Sequence, residues 1–244
     1  MERKDYVNDN ITLIQDTEGL TFGTDALLLA AYVTGKFDRG CELGSGSGII
    51  SMLLLNRGRI GKVTALEVQE HYARLTERNA ELNGFRDRLT AVAKDLREYK
   101  EERDFDIVFT NPPYMKATGG KENAMAKKNV ARHEIMGGIE DFCGGAKRLL
   151  KYGGAFYAVY RPDRLADLIA AMKSASVEPK RLTMVHADTL SEPSMVLVEG
   201  KSSARSGMLV TKPLIIYKDT AHGEYSADMD YIMQNGSFPK EFVR

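Results

Sequence analysis

The feature that most constrains this chain is a pair of consecutive prolines, Pro112 and Pro113, directly after an apolar run at 105–110. The run is rich in β-branched and aromatic residues, which is typical of a strand buried on both faces. Two prolines exclude both a helix and further ladder pairing, so the chain must leave the sheet extended at the carboxyl end of that strand. In open α/β sheets, ligands bind at this end.

The residues that flank the prolines, Asn111 and Tyr114, carry groups suited to holding a flat amine. The Asn111 side chain and the Pro112 carbonyl offer two oxygens, and an exocyclic NH2 group offers two hydrogens. The Tyr114 ring can stack on the heterocycle that carries the amine. A rigid strand exit without chemistry is the better interpretation of Pro-Pro alone, but not of the whole tetrapeptide. We therefore predict that Asn111, Pro112, Pro113 and Tyr114 are catalytic.

A glycine-rich turn follows the first predicted strand, at 38–43, and precedes a predicted helix. The turn contains Gly44, Ser45, Gly46 and Gly48. Glycines let the backbone turn tightly and approach a ligand, with helix N–H groups aimed at it. The carboxylate of Glu42, just ahead of the turn, suits a cationic amine and works against a pyrophosphate. Alone the turn is a weak signal, because similar turns often follow a first strand.

The second and third predicted strands, at 61–67 and 89–93, are also followed by acidic residues. Glu67, followed by Val68, can accept hydrogen bonds from both hydroxyls of a ribose. Asp95 can accept from an adenine amine, while the N–H of Leu96 meets a ring nitrogen. The alternative for Glu67 is a helix cap or a surface group. Asp95 is also predicted to cap a short helix that runs to residue 103, and it can hold both roles at once.

A further segment, Thr24 and Asp25, stands directly before an apolar helix predicted at 26–33. Either side chain is suited to capping that helix. A capped core helix without a functional role is an equally good interpretation of these two residues.

Together these motifs resemble the class I S-adenosylmethionine-dependent N6-adenine and N5-glutamine methyltransferases, whose shared signature is the tetrapeptide at 111–114. The segment at 131–134 is similar to one in the bacterial tRNA1(Val) adenine-N6 methyltransferases. The resemblance implies an α/β fold with a doubly wound, Rossmann-like seven-stranded sheet of order 3-2-1-4-5-7-6, whose last strand pair is antiparallel. It also implies that Thr24 and Asp25 lie over the methionine end of S-adenosyl-L-methionine. The cofactor-binding residues it implies are Glu42, Gly44, Ser45, Gly46, Gly48, Glu67, Val68, Asp95, Leu96, Asn111, Thr24 and Asp25.

The activity implied by the resemblance is methyl transfer to the exocyclic N6 of an adenine in RNA, most narrowly in tRNA next to the anticodon. Two alternatives stay open: a glutamine-N5 methyltransferase that acts on protein, and a non-catalytic module that binds cofactor or RNA. The stretch after the tetrapeptide is basic and is predicted to contact RNA, although a solvated loop has the same composition. Its cationic residues are Lys116, Lys121, Lys127, Lys128 and Arg132.

Bulk properties of the sequence set wider limits. The 34 basic and 34 acidic residues balance, so any affinity for nucleic acid must come from a local patch. The two cysteines, Cys41 and Cys143, lack metal-ligand spacing and favour buried thiols in a reducing cytoplasm, with no metal site. The absence of a secretory pattern at the start and of a long apolar run leads us to expect neither a signal peptide nor a membrane-spanning segment. We expect one cytoplasmic, monomeric domain over 1–244, with extensions at 1–20 and 205–244.

Overall fold

The computed structural model describes residues 2–7, 11–17, 21–100, 103–113 and 137–243. Tyr114 and the predicted RNA contacts Lys116, Lys121, Lys127, Lys128 and Arg132 lie outside these ranges, and their roles stay predictions. The described strands are β1 Glu2–Val7, β2 Ile11–Asp16, β3 Phe37–Leu43, β4 Ile60–Glu67, β5 Leu89–Ala93, β6 Phe105–Thr110, β7 Leu150–Tyr160, β8 Val177–His186, β9 Pro193–Ser202, β10 Leu209–Val210 and β11 Leu214–Ile215. The described α-helices are α1 Thr24–Tyr32, α2 Ile49–Asn56, α3 Glu70–Leu82, α4 Ile139–Leu149, α5 Leu165–Ser174 and α6 Ala227–Asn235.

The centre of the described fold is one mixed sheet of nine strands. Its longer strands lie in the order β5-β4-β3-β6-β7-β9-β8, and those from β5 to β7 are parallel. Strand β9 runs antiparallel to both β7 and β8, so the predicted antiparallel pair is present. The α/β class is confirmed.

The sheet has two strands more than the seven predicted, because β10 and β11 pair in parallel with β8. Pro213 separates these two-residue strands, since proline lacks the N–H that a continuous ladder needs.

Helices cover both faces of the sheet, as in other doubly wound folds. Side chains of α1, α2 and α6 pack with one face, and those of α4 and α5 pack with the other. Strand β6 supplies both cores, since Phe109 packs with the first group and Val108 with the second, and neither side chain is exposed. Burial of a side chain of this size stabilises the fold by ~1.5–3 kcal/mol. The end of β6 is therefore held firmly from both sides.

Three local predictions were wrong, each for a physical reason. The helix predicted from Asp95 to residue 103 is a single turn, and Arg103 has a φ of 50°, which no right-handed helix admits. The sequence Lys151-Tyr152-Gly153-Gly154 predicts a turn after a glycine-terminated helix, but these residues belong to β7, where Gly153 has a φ of 74° beside a register shift against β6. Helix α1 begins at Thr24 with Gly23 as its cap residue, and neither Thr24 nor Asp25 caps it.

The N-terminal hairpin of β1 and β2 is tied to α3 by asparagine side chains. The Asn79 side chain accepts from the Ile14 N–H at 2.7 Å and donates to the Ile14 carbonyl at 3.0 Å, as a neighbouring strand would. The same Nδ2 donates to the Ser47 carbonyl at 3.0 Å. The fully buried Asn79 therefore bonds both to the N-terminal extension and to the glycine-rich turn.

Both cysteines are buried and free, Cys41 in β3 and Cys143 in α4, which confirms the prediction of buried thiols. Burial raises the pKa of the Cys143 thiol to about 12. Within the described ranges, no helix combines the length and the apolar character that crossing a membrane requires.

Candidate functional site

The glycine-rich turn between β3 and α2 has a backbone that only glycine adopts readily. Gly44, Gly46 and Gly48 have φ values of 70°, 54° and 79°. A Cβ at Gly48 would lie 2.7 Å from Cγ2 of Thr76 on α3. The Thr76 hydroxyl donates to the Gly46 carbonyl at 2.8 Å, so α3 fixes the turn from outside the sheet. Ser45 lies in the same turn, 6% exposed, with its Oγ 3.5 Å from that hydroxyl.

The carboxylate of Glu67, at the end of β4, contacts this turn directly. Its Oε2 accepts from the Gly46 N–H at 3.0 Å, and its Oε1 accepts from the Gln69 N–H at 2.9 Å. Burial raises the pKa of Glu67, although these backbone donors act in the opposite direction. Two residues that the sequence predicts at one cofactor site are therefore in contact.

Glu42 takes a different position from the one its predicted role suggests. It is 2% exposed, and its Oε2 accepts from the backbone N–H of Ser51 at 3.2 Å and from the Ser51 hydroxyl. Burial raises the pKa of Glu42 to about 8. The carboxyl group thus lies inside, against α2, and its predicted contact with a ligand amine stays a prediction.

A narrow pocket adjoins Glu67, and most of the predicted cofactor residues after β4 and β5 line it. Its walls are Gly44, Leu66, Glu67, Val68, Lys94, Asp95, Leu96 and Phe142. The cavity measures about 20 Å³, which is room for little more than one water molecule. A nucleoside is larger than this cavity and fits only if the pocket widens, whereas the carboxylates that would receive its hydroxyls and amine already lie on the pocket wall.

Asp95 is engaged by its neighbour Arg97. Its Oδ1 accepts from the Arg97 backbone N–H at 2.8 Å, and the guanidinium donates to both carboxylate oxygens. This side-chain contact holds the pKa of Asp95 below its usual value. The charged carboxylate remains an acceptor on the pocket wall, as its predicted role requires.

The strand that carries Asn111 ends beside the glycine-rich turn. Thr110 pairs with Leu43 across β6 and β3, and the buried Thr110 hydroxyl donates to the Leu43 carbonyl at 2.8 Å. Neighbouring strands lie ~4.8 Å apart, so Asn111 and Gly44 leave the sheet side by side. Pro112 is buried and Pro113 is half-buried. The predicted catalytic segment and the predicted cofactor turn thus share one edge of the sheet.

The Asn111 amide is oriented by Asp25, a residue 86 positions earlier in the chain. The amide Nδ2 donates to Asp25 Oδ2 at 2.8 Å, and Asp25 Oδ1 accepts from the Ala26 N–H at 2.9 Å. A carboxylate only accepts hydrogen bonds, so the amide nitrogen of Asn111 must face Asp25. The amide oxygen of Asn111 therefore points away from Asp25. That orientation presents an acceptor, as the sequence-based role of Asn111 needs.

An open groove of about 910 Å³ borders Asp25, on the side away from the glycine-rich turn. Its walls are Thr24, Asp25, Arg161, Pro162, Asp163, Glu192, Pro193, Ser194 and Met195. No residue after position 134 is among the site residues predicted from the sequence. Arg161-Pro162 directly follows β7, as Asn111-Pro112 follows β6, and this repeated strand-exit pattern is the signal that could have identified it.

Similarity to solved structures identifies the fold first. The chain resembles a crystal structure described as a predicted O-methyltransferase from Agrobacterium tumefaciens, with a TM-score of 0.71, 23% identity, and coverage of 88% of this chain and 98% of that one. It also resembles P. horikoshii TYW2 in complex with MeSAdo, with a TM-score of 0.60, 16% identity, and coverage of 83% and 72%. The fold is therefore that of the S-adenosylmethionine-dependent methyltransferases.

A match to one sequence family assigns the chain more narrowly than the fold does. The methyltransferase small domain matches residues 17–175, and the chain belongs to that family, whose members use S-adenosylmethionine. A Phocaeicola vulgatus protein is 26% identical over 79% of this chain and 81% of its own length. A Porphyromonas gingivalis protein is 28% identical over 84% of each chain. Both relatives bear the name tRNA1(Val) (adenine(37)-N6)-methyltransferase.

Proposed function

We propose that this protein transfers a methyl group from S-adenosylmethionine to the exocyclic N6 of an adenine in tRNA, next to the anticodon. The observation that carries the proposal is the Asn111 amide, oriented by Asp25 at the strand end beside the glycine-rich turn. The names of relatives that match most of the chain support tRNA as the substrate.

The proposed cofactor site comprises the turn from Gly44 to Gly48, Glu67 with Val68, and Asp95 with Leu96. The positive φ values of the glycines set the course of the turn, whose Gly44 lines the pocket, and Glu67 and Asp95 are acceptors on the same pocket wall. When bound, the cofactor would supply an electrophilic methyl carbon, whose bond to sulfur breaks as its bond to the acceptor nitrogen forms, leaving a neutral thioether. These residues would hold it at the edge of the sheet where β6 ends.

The role proposed for Asn111 and Pro112 is to hold the acceptor amine. The Asn111 oxygen and the Pro112 carbonyl accept its two hydrogens, which fixes the plane of the NH2 group and directs the nitrogen lone pair. Tyr114 is proposed to stack on the extruded base. Once N6 is alkylated, its surplus proton is acidic enough to pass to water, so we assign no general base.

Asn111→Ala tests this role. Loss of one oriented hydrogen-bonding group at a reacting centre lowers kcat by roughly 100-fold or more. We expect Asn111→Ala to lose methyl transfer to that extent and to bind S-adenosylmethionine as wild type does. Asn235→Ala is the matched control, because Asn235 is exposed at the end of α6 and bonds the Tyr231 carbonyl. Full activity of Asn111→Ala would remove the proposed role.

Incubation with labelled cofactor identifies the acceptor class. Purified protein is offered total tRNA in one reaction and release factors in another, because a glutamine amide is also a planar NH2 group. We expect label in tRNA, recovered as N6-methyladenosine. Label in protein alone would assign the glutamine-N5 activity instead, and label in neither would favour a non-catalytic module.

A further inference from the structure

The open groove beside Asp25 has no role in the proposed transfer, although it adjoins the reacting centre. Strands β6 and β7 are neighbours, and Thr110 pairs with Ala158. Arg161 therefore leaves the sheet one strand away from Asn111, ~4.8 Å across the ladder and about two residues (~7 Å) farther along the strand direction. Asp25 connects the groove with the reacting centre, because it lines the groove and accepts a hydrogen bond from the Asn111 amide. A substrate held at Asn111 would continue into this groove.

The guanidinium of Arg161 is fixed in one plane on the groove wall. Its Nε donates to Asp163 Oδ1 at 2.8 Å and its Nη2 donates to Asp163 Oδ2 at 2.6 Å. This paired geometry holds both groups in a common plane, and the intervening Pro162 restricts the backbone between them. The Arg161 side chain keeps 33% of its surface exposed. A flat, delocalised cation that is held by its edge can stack on a nucleobase.

The charges of the groove argue against a phosphate as its ligand. Among the described residues that line it, Asp25, Asp163 and Glu192 stand against Arg161, so carboxylates outnumber cations there. The remaining wall includes Pro162, Pro193 and Met195, which are apolar. A neutral, flat group suits this surface better than an anion does.

We propose that the groove binds the base of a nucleotide that adjoins the methylated adenine, stacked on the Arg161 guanidinium. The inference rests on the proposed function, since it takes a single-stranded RNA segment as the substrate. It gives the enzyme a means of selecting RNA that is unstacked around its target, because stacking on a neighbour adds affinity only when that neighbour is splayed out of the helix.

The test combines protein variants with altered RNA. The substrates are an anticodon stem-loop, intact or with an abasic nucleotide on one or the other side of the target adenine. The proteins are wild type, Arg161→Ala, Arg161→Lys and the control Arg164→Lys, whose parent residue pairs with Asp167 and does not line the groove. Lysine keeps the positive charge but removes the plane.

We expect one abasic substitution to lower the kcat/KM of wild type about tenfold. Arg161→Lys should lose about as much on intact RNA, and lose nothing further on that abasic RNA. Arg164→Lys should match wild type on every substrate, and all variants should bind S-adenosylmethionine equally.

Two results overturn the inference alone: wild type that ignores both abasic positions, or Arg161→Lys with wild-type activity. If Arg161→Ala loses activity that Arg161→Lys keeps, the result would assign a phosphate contact. Wild type that transfers to no RNA overturns the proposed function as well, so the two failures are distinguishable.

Discussion

The narrow pocket at Glu67 and the open groove at Asp25 lie at the same end of the sheet but are held by different contacts. At the pocket, Glu67 bonds to backbone N–H groups of the turns that follow β3 and β4, at Gly46 and Gln69. At the groove, the bonds from Asn111 to Asp25 and from Arg161 to Asp163 join one side chain to another. Backbone contacts fix a shape, whereas side-chain pairs fix the orientation of chemical groups and can change independently of the fold. We expect substitutions at the pocket to affect stability and those at the groove to affect turnover.

The largest expected effect concerns Glu42 on the pocket side. Its folded-state pKa of about 8 lies above the ordinary value of 4.5, because burial disfavours the charged form. The carboxyl therefore stabilises the fold fully below pH 4.5 and progressively less as the pH rises toward 8. Glu42→Gln should remove this dependence, which amounts to at most about 4 kcal/mol at the upper end of the window.

Denaturant unfolding between pH 4.5 and 8 measures this effect in wild type and in Glu42→Gln. Glu70→Gln serves as the control, because the Glu70 carboxylate is 69% exposed in its pair with Arg74. Equal pH dependence in wild type and Glu42→Gln would show that Glu42 is ionised in the folded state.

Gly48 gives the next largest effect. Alanine there combines a left-handed backbone with a Cβ that lies 2.7 Å from Thr76 Cγ2. We expect Gly48→Ala to lower the free energy of unfolding by ~2–4 kcal/mol and to weaken cofactor binding. Gly58 has a φ of 61° with nothing within 4 Å, so Gly58→Ala should cost only ~1 kcal/mol. If both variants lost the same free energy of unfolding, contact with Thr76 on α3 would not be what requires glycine at position 48.

A substitution at Asp25 shows whether this residue acts in turnover or in cofactor binding, because the two roles change different constants. Asparagine at this position can donate as well as accept, so Asp25→Asn no longer determines which branch of the Asn111 amide faces it. We expect kcat to fall about tenfold while the Kd for S-adenosylmethionine is unchanged. Asp87→Asn, at an exposed turn, is the control. A raised cofactor Kd with normal kcat would instead assign Asp25 to the cofactor, as the family resemblance implies.

The smallest expected effect comes from the C-terminal extension, through His222. The buried Asp188 accepts from His222 Nε2 at 2.9 Å and from the Ser191 hydroxyl at 2.7 Å, just before Glu192 on the groove wall. His222→Ala should raise the KM for tRNA about two- to threefold, because one of several supports of that wall is lost. His71→Ala, on the pocket side, should have no effect, since His71 is exposed and 3.9 Å from Asp16. A KM increase in both variants would indicate a general charge effect.

The residues around the narrow pocket could be predicted from the sequence far better than those around the open groove. Strands β5 and β6, the glycine-rich turn and the acids after β4 and β5 follow from local rules, because strand ends and glycine turns are set by adjacent residues. The Asn111–Asp25 bond joins residues 86 positions apart, and Arg161 enters the site only because β7 lies beside β6. Glu42 lies against Ser51, since alternate residues of a strand face opposite sides, and the motif alone did not show which side it would take.

The central claim is that these two regions meet at the ends of β3 and β6 to methylate an adenine held by Asn111. Mass spectrometry of the nucleosides of each purified tRNA, from cells with and without the gene, tests it most directly. We predict that N6-methyladenosine disappears from one tRNA at the nucleotide beside the anticodon, and returns with the wild-type gene but not with Asn111→Ala. Unchanged N6-methyladenosine in every tRNA of the deletion strain would contradict the account.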